Sequence, residues 1–217
     1  MLRFEREAWE GGARRVAGVD EAGRGPLAGP VFAAAVCFDR DWLGREAEKT
    51  LAGLTDSKQL SSQRRESFFA LLTSPELSGA VAYGIAQATV EEIDSLNILR
   101  ATHLAMRRAV EMIGTGEGGV ELALVDGLPV QGLPIPHRAI VKGDARSLSI
   151  AAASVLAKVS RDHLMAELDA KWPGYGFAEN KGYGTAAHLK ALAELGPCPA
   201  HRRSFAPVRA RQLTLFS

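Results

Sequence analysis

The chemistry this sequence can support is concentrated in a few carboxylates. Asp20 and Glu21 are adjacent and close a short apolar run, 16–19, that reads as a buried strand. Two acids at a strand end repel one another unless a cation offsets them, and a hard divalent ion is suited to that role. A glycine-flanked arginine follows at once. Gly23 and Gly25 lack side chains, so backbone amides there can approach a ligand closely, and Arg24 offers a partner for an anion. Asp126 ends a second apolar run, 122–125, beside Gly127, and Asp144 follows a third, 139–141, in Lys142-Gly143-Asp144. Ligands in α/β sheets bind at neighbouring strand ends, so these distant acids can converge. Four carboxylates with no histidine among them suit Mg2+ or Mn2+. Two such ions about 4 Å apart can activate a water and stabilise the leaving oxygen of a phosphodiester.

Each feature has a plainer reading. An aspartate after a strand commonly forms a turn or caps a helix. Recurrence of the same pattern at three strand ends weakens that explanation. The letters Gly23-x-Gly25-x-x-Ala28 also match the dinucleotide fingerprint, which needs a helix to open at the glycines. Pro26, Gly29 and Pro30 interrupt the segment, and 31–38 reads as another apolar strand, so that match is set aside.

The elements that must position these acids follow from periodicity. Strands are predicted over 15–19 and 30–38, close enough to be antiparallel neighbours, and over 80–88. Between them lies a charged connection, then the polar loop Leu54-Thr55-Asp56-Ser57-Lys58, and a helix capped by Ser61 that runs to 72. Thr89 and Glu92 have capping-box spacing. Over 98–113 Ile98, Ala101, Ala105, Ala109, Met112 and Ile113 fall on one face of a helix, leaving His103, Arg107 and Arg108 for solvent. A long Ala-rich helix over 149–168 is apolar on most sides and is expected to be buried. A Gly- and aromatic-rich loop, 175–184, precedes a last helix capped by Thr185 and closed by Gly196 and Pro197. A mixed central sheet flanked by helices results.

Composition narrows the class further. At 217 residues and 47% hydrophobic the chain can bury a full core. The charged N-terminus has no apolar signal core and no run reaches membrane-spanning length, so a cytoplasmic protein without a membrane partner is expected. Two cysteines are too few for a disulfide framework, Cys37 reads as a buried thiol, and no Cys/His cluster suggests zinc. The net charge of +1 does not advertise a nucleic-acid binder, but Arg202, Arg203, Arg209 and Arg211 leave the end of the chain locally basic, a candidate face for phosphates.

With these motifs in hand the sequence resembles bacterial type 2 ribonuclease H (ribonuclease HII). The matching pieces run in order from Val16 to Pro207: Val19-Asp20-Glu21-Ala22-Gly23-Arg24-Gly25, Asp56-Ser57-Lys58-Gln59-Leu60, Leu124-Val125-Asp126-Gly127, Lys142-Gly143-Asp144, the stretch 149–162, Lys181-Gly182-Tyr183-Gly184 and His201-Arg202-Arg203-Ser204-Phe205. The resemblance implies an α/β ribonuclease H-like fold, with a catalytic domain over 1–170 and a small helical extension over 171–208. It implies hydrolysis of the RNA strand of RNA/DNA hybrids. It also implies nicking 5′ of single ribonucleotides in duplex DNA, leaving 3′-hydroxyl and 5′-phosphate ends. Asp20, Glu21, Asp126 and Asp144 match the metal-binding carboxylates, and Gly23, Arg24 and Gly25 the loop that senses the ribose 2′-hydroxyl. Lys58, Lys142 and Lys181 match phosphate contacts, and Tyr183 the aromatic that packs on the neighbouring sugar. Asp162, Ser154 and Lys158 are supporting positions. A non-catalytic duplex-binding module is the alternative, and clustered acids facing phosphates argue against it.

The tail, 209–217, carries apolar residues where chain ends are usually polar. Gln212-Leu213-Thr214-Leu215-Phe216 is similar to the pentapeptide by which bacterial replication and repair proteins bind the sliding clamp. Gln212, Leu213, Leu215 and Phe216 would be the partner contacts, the alternative being that they dock on the protein's own surface. A monomer is otherwise expected.

Overall fold

The computed structural model describes residues 1–215, the side chains of residues 48 and 211–215 aside. A five-stranded mixed sheet forms the centre, in the order β3-β2-β1-β4-β5. Helix α1 (Arg3–Glu10) leads into β1 (Val16–Ala22) and β2 (Val31–Phe38), which pair antiparallel. Helices α2 (Arg40–Thr50) and α3 (Ser62–Leu72) precede β3 (Val81–Ala88), antiparallel to β2. Helices α4 (Val90–Leu96) and α5 (Ile98–Met112) then cross over to β4 (Leu122–Asp126) and β5 (His137–Ile140), both parallel to β1. The long helix α6 (Leu148–Lys171) is followed by α7 (Phe177–Asn180), α8 (Ala186–Leu195) and α9 (Ala206–Leu215).

Each sheet face is closed by one apolar helix. Helix α6 lies over β1 and β2, where Ala151, Val155, Leu156 and Val159 meet Ala34, Val36 and Phe38. Gly18 makes this approach possible, because a Cβ there would run into the backbone of Ser149 and Ile150. On the opposite face Ala101, Ala105, Ala109 and Val110 of α5 meet Val31, Ala33 and Ala35. Small residues on both partners let helix and sheet backbones come close, which is why Ala dominates this core.

The helix caps expected of Ser61 and Thr185 are present, as is the reciprocal box of Thr89 and Glu92. Cys37 is buried. Other elements depart from expectation. Strand β1 runs on to Ala22, so Asp20 and Glu21 lie within it and not beyond its end. Helix α6 starts one residue early, capped by Ser147, whose side chain accepts from the Ile150 N–H. The charged connection is itself a helix, α2, capped by Asp39 and covering the core with Leu43 and Ala47. Helix α1 precedes all the strands. Its Glu5 is buried and accepts from the Ser147 hydroxyl and from the Ser149 N–H and hydroxyl at the start of α6.

On α5, Met112 belongs to solvent at 63% exposed, because the helix ends there and the sheet no longer lies beneath it. Arg108 is not simply solvated, since it forms a two-pronged ion pair with Glu92 at 2.7 and 2.9 Å. In the tail, α9 carries a helical backbone to Leu215. The side chains of Gln212, Leu213 and Leu215, and all of Phe216, lie outside the described residues.

Candidate metal centre and substrate groove

Strand pairing brings the acids together. Strands β1 and β4 run parallel with Val19 opposite Val125, so Asp20 and Asp126 come next on neighbouring strands. Both follow the alternation that puts Gly18 and Leu124 toward α6. Strand β5 runs parallel to β4, with Ile140 opposite Asp126, and beyond it a 3-10 turn over Gly143–Ala145 carries Asp144. The turn is tied back by the Gly143 N–H, which donates to Asp126 Oδ1 at 2.6 Å. One carboxylate oxygen from each of Asp20, Asp126 and Asp144 lies within 4.8 Å of the others.

Crowding of this kind is costly without a cation. At an effective dielectric of about 20, each ionised pair at the outer limit of that distance repels by roughly 3 kcal/mol. Burial, then the charges of Glu21 and Asp126, push the Asp20 carboxyl well above its ordinary range. Burial, then Asp126 and Asp56, raise Asp144. Lys58 responds in the opposite sense. Burial pulls its ammonium down, but the charges of Asp56, Asp20, Asp144 and Asp126 outweigh that and hold it above its usual value. All-oxygen donors, two of them buried, crowded within reach of one another, fit a hard divalent ion.

Glu21 is not part of this trio. Strand alternation turns it aside, and its Oε1 accepts from Arg24 Nη1 at 3.3 Å. Burial raises its carboxyl while Arg24 opposes the rise. It still lines the same groove as Asp20, a cavity of about 330 Å³ whose other walls are Gly23, Arg24, Gly25, Lys58 and Tyr183. The Tyr183 ring is 47% exposed and stands over Gly25, its Cε1 3.6 Å from where a Cβ on Gly25 would sit. Its backbone is held, the carbonyl accepting from the Thr185 N–H and lying 2.9 Å from His188 Nδ1.

Helix α6 supplies the back wall. Ser154 is buried and its hydroxyl donates to Ser57 Oγ at 2.8 Å, fixing the loop that presents Lys58. Arg65 holds the other side of that loop through the Ser57 and Leu60 carbonyls. Lys158 pairs with Asp162 at 2.6 Å. Lys142 and Lys181 do not line the groove. Each occupies a left-handed backbone position in a loop beside it, Lys142 before Gly143 and Lys181 before Gly182.

Two groups had no legible signal. Arg202, in a stretch that reads as a basic face for phosphates, is fully buried and bonded to backbone carbonyls. Arg161, inside α6, is likewise buried and donates to the carbonyls of Ala28, Pro30 and Lys181. Nearby, His188 and His201 are buried with their Nε2 atoms 3.0 Å apart.

A sheet of three antiparallel and two further parallel strands, with aspartates meeting at adjacent strand ends, defines a ribonuclease H-like nuclease. The crystal structure of the ribonuclease H2 from Pyrococcus horikoshii OT3 is similar, with a TM-score of 0.74 and 26% identity over 94% of this chain and 99% of that one. The ribonuclease HII family model matches residues 17–208, and the chain belongs to that family. It is 54% identical to the ribonuclease HII of Halorhodospira halophila over 199 residues, 91% of this chain and 95% of the relative. It is also similar to the ribonuclease HII seen in a PCNA complex from Archaeoglobus fulgidus, with a TM-score of 0.66 and 25% identity over 88% of this chain and 95% of that one. Enzymes of the family are divalent-metal-dependent endonucleases that cleave the RNA of RNA/DNA hybrids.

Proposed function

We propose that this chain, beyond hydrolysing the RNA strand of hybrids, nicks duplex DNA on the 5′ side of a single embedded ribonucleotide, leaving 3′-hydroxyl and 5′-phosphate ends. The observation that carries the reading is the shared groove. An exposed tyrosine face over the Gly23-Arg24-Gly25 loop lies in one cavity with Asp20, itself part of the aspartate trio.

Asp20, Asp126 and Asp144 would hold divalent cations, Mg2+ or Mn2+, with Glu21 as a further ligand drawn from its contact with Arg24. When bound, such ions supply an activated water and stabilise the departing sugar oxygen. The remaining work falls to the chain's own residues. The backbone amides of residues 23–25 donate to the 2′-hydroxyl, which only a ribonucleotide has. Tyr183 lays its ring on the next sugar, which fits best without a hydroxyl of its own. Lys58 takes a phosphate, with Lys142 and Lys181 as contacts farther along the duplex. The catalytic part spans 1–170, with 171–208 as the extension that brings Tyr183 to the groove.

The test compares three duplexes, carrying a single ribonucleotide, a run of ribonucleotides, or none, with Mg2+ or Mn2+ present or chelated. Metal-dependent nicking at the single ribonucleotide, with products extendable by a DNA polymerase, is expected. Binding of all three without cleavage would return the protein to a duplex-binding role.

We further propose that the tail, through Gln212, Leu213, Leu215 and Phe216, binds a DNA sliding clamp, keeping a cytoplasmic monomer near newly made DNA. The PCNA complex of the Archaeoglobus fulgidus relative supports tethering of this kind. Binding to the cognate clamp that is lost in Leu215→Ala/Phe216→Ala is the expected result, and equal binding by both forms would remove the tail from consideration.

A further inference from the structure

We infer that Arg161 and Arg202 are positioning residues for substrate recognition, a buried two-guanidinium clamp that orients the amide donors of the Gly23-Arg24-Gly25 loop. The inference rests on the proposed reading of the 2′-hydroxyl by that loop, and adds what holds the loop in the reading conformation.

The clamp is built from backbone carbonyls. Arg202 donates to the carbonyls of Gly23 and Arg24 at 2.6 and 2.9 Å, and to those of Gly29 and Pro30 at 2.8 and 3.3 Å. Arg161 shares the Pro30 carbonyl at 3.1 Å and adds those of Ala28 and Lys181, each at 3.0 Å. The whole connection from β1 to β2 is thus folded around two guanidinium groups, and the Lys181 bond ties in the loop that carries Tyr183.

Peptide geometry turns this into a statement about donors. No peptide bond is cis, so each amide N–H points opposite to the carbonyl of the residue before it. With the Gly23 and Arg24 carbonyls drawn inward to Arg202, the N–H groups of Arg24 and Gly25 must face away from it. Neither N–H has a hydrogen-bond acceptor among the described residues. Two free donors side by side make a small concavity for an oxygen ligand. Gly23 fits the same construction. It has φ of +98°, and a Cβ there would strike the Arg161 guanidinium.

Burying two cations this close together is expensive, and neither has an ion pair among the described residues. Burial, then the charge of Arg161, pull the Arg202 guanidinium down to about 9. Hydrophobic packing could have closed this space more cheaply. A planar fork that fixes several carbonyls at once is something only arginine provides.

The experiment uses the full chain with Arg202→Lys and, separately, Arg161→Lys, which keep the charge and lose the fork. Backbone 15N relaxation reads the loop. Titration of Mn2+ reads the acid cluster. Cleavage of a single-ribonucleotide duplex reads recognition. Loop order parameters at Arg24 and Gly25 falling from about 0.85 toward 0.6 are expected. Cation affinity should stay unchanged, and kcat/KM should fall at least about 10-fold, or about 1.4 kcal/mol. Because lysine retains the charge, that loss would separate geometry from simple attraction of phosphate. A loop that stays rigid in the folded variants would overturn the clamp and leave the loop's reading of the sugar standing. A loop that loosens while cleavage is unchanged would overturn that reading, and the clamp's role in recognition with it. Should neither variant fold, hydrogen exchange at the Arg161 and Arg202 Nε–H groups of the unaltered protein decides. Slow exchange supports the clamp and exchange at the rate of surface arginines overturns it.

Discussion

Two opposed electrostatic constructions adjoin the groove. At one end Asp20, Asp126 and Asp144 crowd their carboxylates and act on the Lys58 ammonium, and at the other Arg161 and Arg202 bury their charges with no carboxylate bonded to either. The difference lies in what satisfies each. The guanidinium groups are bonded to carbonyl oxygens, whereas the aspartates accept only a few N–H bonds, such as Gly143 to Asp126. Cations that are already satisfied can only hold a shape, while anions left under-satisfied are ready to take something from outside. The acidic end therefore trades stability for function, and the basic end spends charge on rigidity.

Removing a carboxylate should give the largest and most one-sided effect. Asp20→Asn or Asp126→Asn is expected to lower cleavage by at least about a thousand-fold, or about 4 kcal/mol. Stability without metal should be unchanged or higher, because repulsion is relieved. Single-turnover cleavage and thermal melting of the same samples check both halves, and a melting point that drops along with activity would erase the contrast. Arg202→Met should do the reverse. It strands several buried carbonyls and is expected to cost about 3–4 kcal/mol of stability, read from denaturant midpoints, with little change in Mn2+ affinity.

Acid should reach the basic end through His201. Burial, then the charge of His188, lower its imidazole to about 4, and burial lowers His188 as well. The unfolded chain takes up the proton near 6.5 and the folded one only near 4. Stability is therefore full above about pH 6.5 and declines as pH falls toward 4, by about 3 kcal/mol in total from this one residue. Comparing the pH slope of unfolding with that of His201→Gln isolates the residue, since carboxylate contributions cancel in the difference. Equal slopes would mean the histidine is not held neutral.

The smallest effect should come from Tyr183→Ala. The side chain is already about half exposed, and single-ribonucleotide cleavage should fall about 10-fold while a long hybrid is affected less. Equal losses on both substrates would make the ring a cover for Gly25 and nothing more.

Legibility followed the same divide. Acids at the ends of apolar runs carry their own signal, so Asp20, Asp126 and Asp144 could be picked out together, as could the sheet and the caps at Ser61, Thr89 and Thr185. Arg161 and Arg202 could not, because their partners are carbonyls, which every residue possesses and no letter marks. Helix α2 was hidden for a related reason. Among the described residues only Leu43, Ala47 and the flanking Leu51 are buried in a charged stretch, too thin an apolar stripe to stand out. Glu21 was placed with the other acids by adjacency and by the family resemblance, and the pleat of the strand parts it from Asp20.

Gly18 has a reach well beyond its own position. Because it carries no side chain, α6 rests on β1 at Ser149 and Ile150, and from that point the helix runs back along the groove carrying Ser154, Lys158 and Arg161 on successive turns. The helix behaves as a rigid beam seated on one notch. A methyl group in the notch would tilt the beam and displace the serine behind Asp20 and the arginine beneath Gly23 by different amounts, since they lie at different distances along it. One absent side chain thus sets the calibration between the end of the groove that would hold metal and the end that would recognise sugar.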